Sequence, residues 1–311
     1  MQGKWTAAQI PDQGGRLAIV TGATSGIGFV IARELARAGA RLVLAVRDDT
    51  RGGVAAEAIR AAAPRAQPEV VPLDLASLAS VRRFAQRFTA VHEGPDLLIN
   101  NAGVMATPHA RTVDGFELQL GTNHLGHFTL TGLLIGAMRH RPGARVVTVS
   151  SFNHRMGRID FEDLQGELRY RRWKAYNQSK LANLLFAFEL DRRLRAAGAA
   201  AASVAAHPGY ADTALQGRVG TAIERRAFAL GNRLMAQSAD MGALPVLYAA
   251  AAPGVPGGSY VGPDGVLGIR GHPAIASASA AARDPRLALQ LWEVSERLTG
   301  VTYPLTAPQQ A

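Results

Sequence analysis

Short apolar runs alternate with longer stretches in which apolar residues recur every three or four positions. Residues 17–20 form a continuous apolar run, which suits a strand buried on both faces. Behind it Ile27, Ile31 and Leu35 share one face of a helix, Arg33, Glu34 and Arg37 point elsewhere, and Gly39 is placed as a stop. The same pattern predicts strands over 41–46, 69–73, 96–100, 144–151, 199–206 and 258–261. It predicts helices over 50–63, 80–91, 114–138, from Tyr176 towards Gly198, over 240–252, and over 285–298 with Asp284 as cap. In 210–238, Ile223, Ala227, Leu230 and Leu234 make one helical face, which suits core, a lid over a substrate or a membrane-touching surface. Strand–helix alternation of this kind predicts an α/β fold: a single doubly wound parallel sheet of about seven strands with helices on both faces. No repeat or linker divides the chain, so residues 1–311 are expected to form one domain.

The turn after the first strand reads T-G-A-T-S-G-I-G. Gly22, Gly26 and Gly28 remove side chains where a phosphate would approach the backbone, and the helix behind offers N–H groups and a positive dipole end. Thr21, Thr24 and Ser25 add hydroxyl donors. The spacing differs from G-x-G-x-x-G, and a plain tight turn is the alternative; the strand before and helix after favour a nucleotide site. Arg47 ends the second strand, 19 residues past Gly28, near where an acidic residue would bind the ribose hydroxyls of NAD. A guanidinium fork fits a phosphate instead. Asp48 either neutralises Arg47 or caps the next helix.

Further motifs follow at strand ends: Asp74-Leu75, where Asp74 could also cap the next helix; Asn100-Asn101-Ala102-Gly103; Asn123 within G-T-N-H-L-G-H-F; Ser150-Ser151 leading to Tyr176-Asn177-Gln178-Ser179-Lys180; and His207-Pro208-Gly209. Tyr176 and Lys180 are four apart, on one face of a helix. Taken in order, these motifs resemble the short-chain dehydrogenases/reductases over about residues 16–265, the expected dinucleotide-binding and catalytic core. The 25 positions from Ser151 to Tyr176, with I-D-F-E-D-L-Q, N-H-L-G-H-F and H-P-G, resemble the retinol-dehydrogenase branch. The resemblance implies that Gly22, Thr24, Ser25, Gly26, Ile27, Gly28, Asn101, Ala102, Gly103, Pro208, Gly209 and Thr213 meet the cofactor, with Asp74 and Leu75 at its adenine ring. Val46 stands where NAD-preferring relatives carry Asp, so NADP(H) is favoured over NAD(H). It further implies Tyr176 as acid/base, Lys180 favouring tyrosinate and reaching the nicotinamide ribose, Ser151 donating to the developing oxyanion, and Asn123 holding a water in the proton relay. Ser150 competes for the serine role, and the family pattern favours the second serine.

Composition narrows the function. The chain has 311 residues, a net charge of +10 and no cysteine, which excludes a thiolate nucleophile, cysteine-ligated zinc and disulfides. Arginines are scattered without a basic, aromatic-interleaved tract, so no nucleic acid partner is expected. His124 and His127 sit three apart with no third ligand at a sensible spacing, so no metal is expected. The polar opening residues and the absence of a run of about 18 apolar residues lead to the expectation of a cytoplasmic protein without a membrane span. The expected function is NADP(H)-dependent interconversion of an alcohol and its aldehyde or ketone, with a lipophilic small-molecule substrate. The alternatives are a catalytically idle, redox-reporting cofactor binder and an enzyme resembling the light-driven reductases of a chlorophyll precursor, the latter weakened by the lack of cysteine. Residues 210–238 are the expected substrate lid and 266–311 a C-terminal extension. Family members often pair through the helices expected at 114–138 and 176–196. Arg169, Arg171, Arg172 and Lys174 beside Tyr170 and Trp173 could block or aid pairing, or meet an anionic lipid surface. A monomer or weak homo-oligomer is expected.

Overall fold

The computed structural model describes residues 4–210 and 237–305. β1 (Leu17–Thr21) is buried along its whole length, as its unbroken apolar run requires. Ala18 and Val20 face one core with Ile27, Ile31 and Leu35 of α1 (Gly26–Arg37). Leu17 and Ile19 face the other. Around β1 lie β2 (Arg41–Val46), β3 (Glu69–Pro72), β4 (Leu97–Asn100), β5 (Arg145–Val149), β6 (Ala202–Ala206), β7 (Tyr260–Pro263) and β8 (Pro273–Ile275). Their order is 3-2-1-4-5-6-7-8, parallel from β3 to β7. The sheet thus has eight strands among the described residues, where about seven were expected, and β8 runs antiparallel to β7. β8 is three residues long, begins with proline and sits at the edge, where a missing N–H is tolerated. Nothing in so short a segment announces a strand.

α1, α2 (Asp49–Ala62) and α6 (Ala239–Ala251) cover one face. α3 (Leu78–Val91), α4 (Gly126–Met138), α5 (Arg172–Ala196) and α7 (Pro285–Thr299) contribute to the other. Val81, Phe84 and Phe88 of α3 are buried there as their spacing predicts. The helix expected over 114–138 is broken differently. Gly115 takes a left-handed φ of 87°, the Glu117 side chain accepts from Leu120 N–H at 2.7 Å, and helix begins only at Leu118–Leu120. A π-helical turn, Gly121–Leu125, then precedes α4. Periodicity does not register one extra residue in a turn. The sixth strand begins at Ala202, three residues later than expected, because Ala200 and Ala201 N–H both donate to Arg139 carbonyl oxygen.

α7 begins at Pro285 behind Asp284, whose carboxylate accepts from Arg286 and Leu287 N–H, as the capping expectation requires. It lies against α5, and Trp292 is buried beside Phe186 and Phe128 at ring distances of 5.9 and 5.1 Å. Residues 301–305 continue over α4. Tyr303 packs 4.9 Å from Phe128 and donates to its carbonyl oxygen at 2.6 Å. A Cβ at Gly132 would stand 2.5 Å from Val301, so glycine permits this approach. The Leu184 and Leu185 side chains are buried core, and Phe188 is half-buried under Arg283.

Candidate active site

The motifs converge at the carboxyl ends of β1, β4, β5 and β6. Thr21 ends β1, and its Oγ1 accepts from the N–H groups of Asn101 and Ala102, each at 2.9 Å. Asn101 Nδ2 returns a bond to Thr21 carbonyl oxygen at 2.9 Å. These bonds hold the first and fourth strand ends together. Gly22 has φ 69°, and a Cβ there would lie 2.9 Å from Ala102 Cβ. A Cβ at Gly28 would lie 2.4 Å from Gly22 carbonyl oxygen and 2.5 Å from Asn101 Nδ2, so this glycine packs α1 onto the turn. Gly26 is left-handed at φ 56°, Ile27 is buried, and the Ser25 hydroxyl at the N-cap makes no capping bond.

Arg47 lies exposed just past β2. Asp48 does not neutralise it: its carboxylate caps α2 through Arg51 N–H at 3.0 Å. Asp74 accepts from Ala76 N–H at 2.9 Å, and Ser77, not Asp74, caps α3. Leu75 is buried with its carbonyl against Gly126. After β6, Gly209 is left-handed, and Pro208 carbonyl oxygen takes Gln237 Nε2 at 2.6 Å. Thr213 and nearly all of the expected lid lie outside the described residues.

α5 is buried over most of its length and carries Tyr176 and Lys180 on successive turns. The Ser151 side chain lies beside the Tyr176 hydroxyl. Burial pushes that phenol up to about 12, with Ser151 opposing. Lys180 Nζ stands 5.7 Å from the Tyr176 ring centroid and donates to Val149 carbonyl oxygen at 3.3 Å. Burial lowers Lys180 to about 8. In the protein alone, burial therefore outweighs the pull that a neighbouring ammonium would exert on Tyr176. The two serines part company at the end of β5. Ser150 is buried and donates to Lys180 carbonyl oxygen at 2.7 Å, whereas Ser151 starts a 3-10 turn, Phe152–Met156, with its hydroxyl beside Tyr176.

Asn123 sits in the π-helical turn, fully buried. Its Nδ2 donates to Val104 carbonyl oxygen and Ser179 Oγ, both at 2.9 Å, and its Oδ1 accepts from Val104 N–H at 2.8 Å. The amide clamps the segment after β4 to α5, close to Gly103, where a Cβ would stand 3.0 Å from Oδ1 and 3.7 Å from Lys180 Nζ. His124 and His127 turn to separate partners. His124 Nε2 lies 2.8 Å from Ser295 Oγ. His127 spans from Asn123 carbonyl oxygen at 3.0 Å to Thr21 Oγ1 at 2.9 Å. Burial holds them near 3 and 4, so both are neutral.

The contacts of three residues around the site escape a reading of the sequence: His127, which the motif contains but does not place, His154 and Tyr260. His127 is four positions past Asn123, a helical spacing that signals contact, but its link to β1 spans 106 residues. His154 follows Ser151 by three, and Tyr260 arrives from β7. Lys174, in the first turn of α5, pairs with Asp160 at 2.8 Å, and in the loop before that helix Tyr170 donates to Thr107 carbonyl oxygen at 2.9 Å. Part of the basic and aromatic cluster is thus committed within the fold.

Over residues 16–224 the chain matches the family described as short chain dehydrogenase. Polyprenol dehydrogenase of Mus musculus is 44% identical over 306 residues, covering 96% of this chain and 88% of that protein. Retinol dehydrogenase 12 of Mus musculus is 50% identical over 204 residues, covering 66% of this chain and 63% of that protein. The crystal structure of an uncharacterized protein from Mycobacterium Paratuberculosis aligns at TM-score 0.81 and 47% identity, covering 97% of this chain and all 100% of that one. The NADP active-site complex of Pseudomonas aeruginosa RhlG aligns at TM-score 0.62 and 25% identity, covering 80% and 94%. With likeness extending across nearly the whole chain, this protein belongs to the short-chain dehydrogenase/reductase family, in its retinol-dehydrogenase-like branch.

Proposed function

We propose that the chain is an NADP(H)-dependent oxidoreductase that interconverts a lipophilic alcohol and its aldehyde or ketone. The observation that carries this reading is Tyr176: a buried phenol beside Ser151, one turn from a buried lysine, at the carboxyl ends of a parallel sheet. Retinol and polyprenol, in the relatives' names, support a long apolar substrate.

The residues fit a nicotinamide dinucleotide. Gly22 and Gly103 leave cradles that a Cβ would fill, the former against Ala102 and the latter between Asn123 and Lys180. Thr24, Ser25, Gly26, Ile27 and Gly28 would hold the pyrophosphate, Asp74 and Leu75 the adenine side, and Asn101 to Gly103 with Pro208 and Gly209 the nicotinamide half. Arg47 has no ion-pair partner among the described residues, which supports a 2′-phosphate and hence NADP(H) over NAD(H). A bound dihydronicotinamide supplies the hydride.

The chain's own groups manage the proton. At neutral pH, Tyr176 held near 12 keeps its proton and is poised to give it to a carbonyl oxygen. Ser151 donates a hydrogen bond to the same oxygen as charge grows. Lys180, held near 8, is mostly an ammonium at pH 7, and its charge stabilises the tyrosinate left behind. Asn123 fixes the segment carrying Val104 and Gly103, which keeps the relay in register with the strand ends.

We place the protein as monomeric or weakly associating. α7 and residues 301–305 lie over α4 and α5, the helices through which the family often pairs. Among the described residues, no helix is long and apolar enough to cross a membrane; a cytoplasmic location remains part of the proposal. Turnover decides the activity: purified protein with NADPH or NADH and a panel of aldehydes and ketones from short to polyisoprenoid, then the alcohols in reverse. NADPH-specific reduction favouring long apolar carbonyls is the expected result. Tight NADPH binding without turnover of any carbonyl would point to the idle, cofactor-reporting protein instead.

A further inference from the structure

The carbonyl oxygen of Ser151 collects an unusual number of donors. It accepts from the backbone N–H of His154 at 3.1 Å, from His154 Nδ1 at 2.8 Å and from the Tyr260 hydroxyl at 3.4 Å. The imidazole is fixed from its far side as well: Ser279 N–H donates to Nε2 at 3.2 Å. Because Nε2 accepts, the ring proton resides on Nδ1 and is directed at Ser151. His154 is 1% exposed and Tyr260 1%, with their rings edge to face at 5.3 Å. His207, at the end of β6, lies 5.0 Å behind Tyr260. Burial and nearby Arg155 hold His154 below the usual range, so the neutral tautomer persists.

Ser279 comes from the C-terminal extension, far from the other motifs in sequence. The extension is tied to the same 3-10 turn a second time, through Arg155, which donates to Ser277 carbonyl oxygen at 2.6 Å and its Oγ at 3.0 Å. On the opposite side the turn presses on α5: a Cβ at Gly157 would stand 2.5 Å from Asn177 carbonyl oxygen, and Asn153 Nδ2 reaches Asn177 Oδ1 at 3.1 Å. The turn bearing Ser151 is therefore held between the helix of Tyr176 and the C-terminal extension.

We propose that His154 is a positioning residue for the carbonyl-reducing site: with Tyr260, and with its tautomer set by Ser279 of the C-terminal extension, it fixes the Ser151 peptide so that the Ser151 hydroxyl stays aimed at the reacting oxygen beside Tyr176. The role rests on the activity proposed above. It acts on the proton-transfer half of the site and leaves the glycine turn, Arg47 and the strand-end cradle untouched. Displacement of a reacting or stabilising group by about 1 Å costs on the order of 100-fold in rate.

The test is a double-mutant cycle with separate readouts for binding and turnover. His154→Phe keeps a ring of similar shape and loses the side-chain contacts to Ser151, Ser279 and the Tyr260 hydroxyl, the last at 3.4 Å from Nδ1. Its kcat for an aldehyde that the wild type reduces is expected to fall about tenfold or more. Its NADPH dissociation constant, read by cofactor fluorescence, is expected to stay within about twofold. In a Ser151→Ala background the same substitution should cost less than about twofold further, since its route of action is gone. His154→Gln, which offers both an N–H and an acceptor, should recover part of the loss. A kcat within twofold of wild type, a loss that multiplies fully in the Ser151→Ala background, or a fall in cofactor affinity matching the fall in kcat would each overturn the role. If His154→Phe does not fold, Tyr260→Phe decides by deleting one hydroxyl: a kcat reduced about two- to fivefold with unchanged NADPH binding supports the role, and an unchanged kcat refutes it. A wild type that reduces no carbonyl refutes the activity and this role with it, whereas an active wild type with an indifferent His154→Phe refutes the role alone.

Discussion

Lys180 couples the site to stability. It is 5% exposed, and burial drops it from the ordinary 10.5 to about 8. Between those values the unfolded chain binds the proton and the folded protein does not, so this group makes stability rise with pH through that window. Below pH 8 both states carry the charge, and the folded state bears the full burial penalty. At about 1.4 kcal/mol per pH unit that penalty is roughly 3 kcal/mol. Lys180→Met keeps an unbranched chain of similar length without the charge. It forfeits the 3.3 Å bond to Val149 carbonyl oxygen, worth about 1 kcal/mol, but Asn183 Nδ2 still donates to that oxygen at 3.1 Å and leaves it partnered. The variant free of cofactor is therefore expected to be more stable than wild type by about 1–3 kcal/mol at pH 7, while losing turnover. The advantage should shrink as pH rises from 8 to 10.5 and vanish above. Urea unfolding of both proteins at intervals from pH 7 to 10.5 measures the difference directly, and pH effects common to both cancel. A Met variant that is less stable at pH 7, or whose advantage does not change across the window, would show that Lys180 is not carrying a buried, penalised charge.

The other expectations are more local. Tyr176→Phe should keep NADPH binding and lose turnover by a factor on the order of 100 or more; near-wild-type activity would remove Tyr176 from the mechanism. Arg47→Ala should weaken NADPH by about 1.5–3 kcal/mol with a much smaller effect on NADH, and equal losses for both would assign Arg47 to general charge. Gly28→Ala forces a Cβ to within 2.4 Å of Gly22 carbonyl oxygen, so titration should show cofactor affinity reduced more than about tenfold, with a stability loss of about 1–3 kcal/mol; unchanged affinity would mean that the turn relaxes freely. Light scattering at sub-micromolar protein should give a monomer mass with and without NADPH. A stable dimer there would mean that the covering by α7 and residues 301–305 leaves a pairing face open.

The glycine turn, the strand–helix alternation and the Tyr-Lys spacing were legible in the chain itself, because each depends on residues within one or two turns of one another. Burial of β1 follows from its own apolar run, and Asp284 caps α7 through N–H groups two and three residues ahead. The different settings of Ser150 and Ser151 are visible only in the fold, since they lie in how β5 ends against α5: one hydroxyl turns to the carbonyl of Lys180, and the other lies beside Tyr176. Asp48 was locally ambiguous until its bond to Arg51 N–H set it aside as a cap. The antiparallel β8, the π-helical turn around Asn123 and the reach of Ser279 to His154 had no readable signal. A three-residue edge strand, one extra residue in a helical turn and a hydrogen bond spanning 125 residues leave no periodicity to detect. Local patterning determines which elements form. The orientation of a polar group inside a buried site depends on donors supplied from distant segments, and those meet only when the sheet brings its strand ends together.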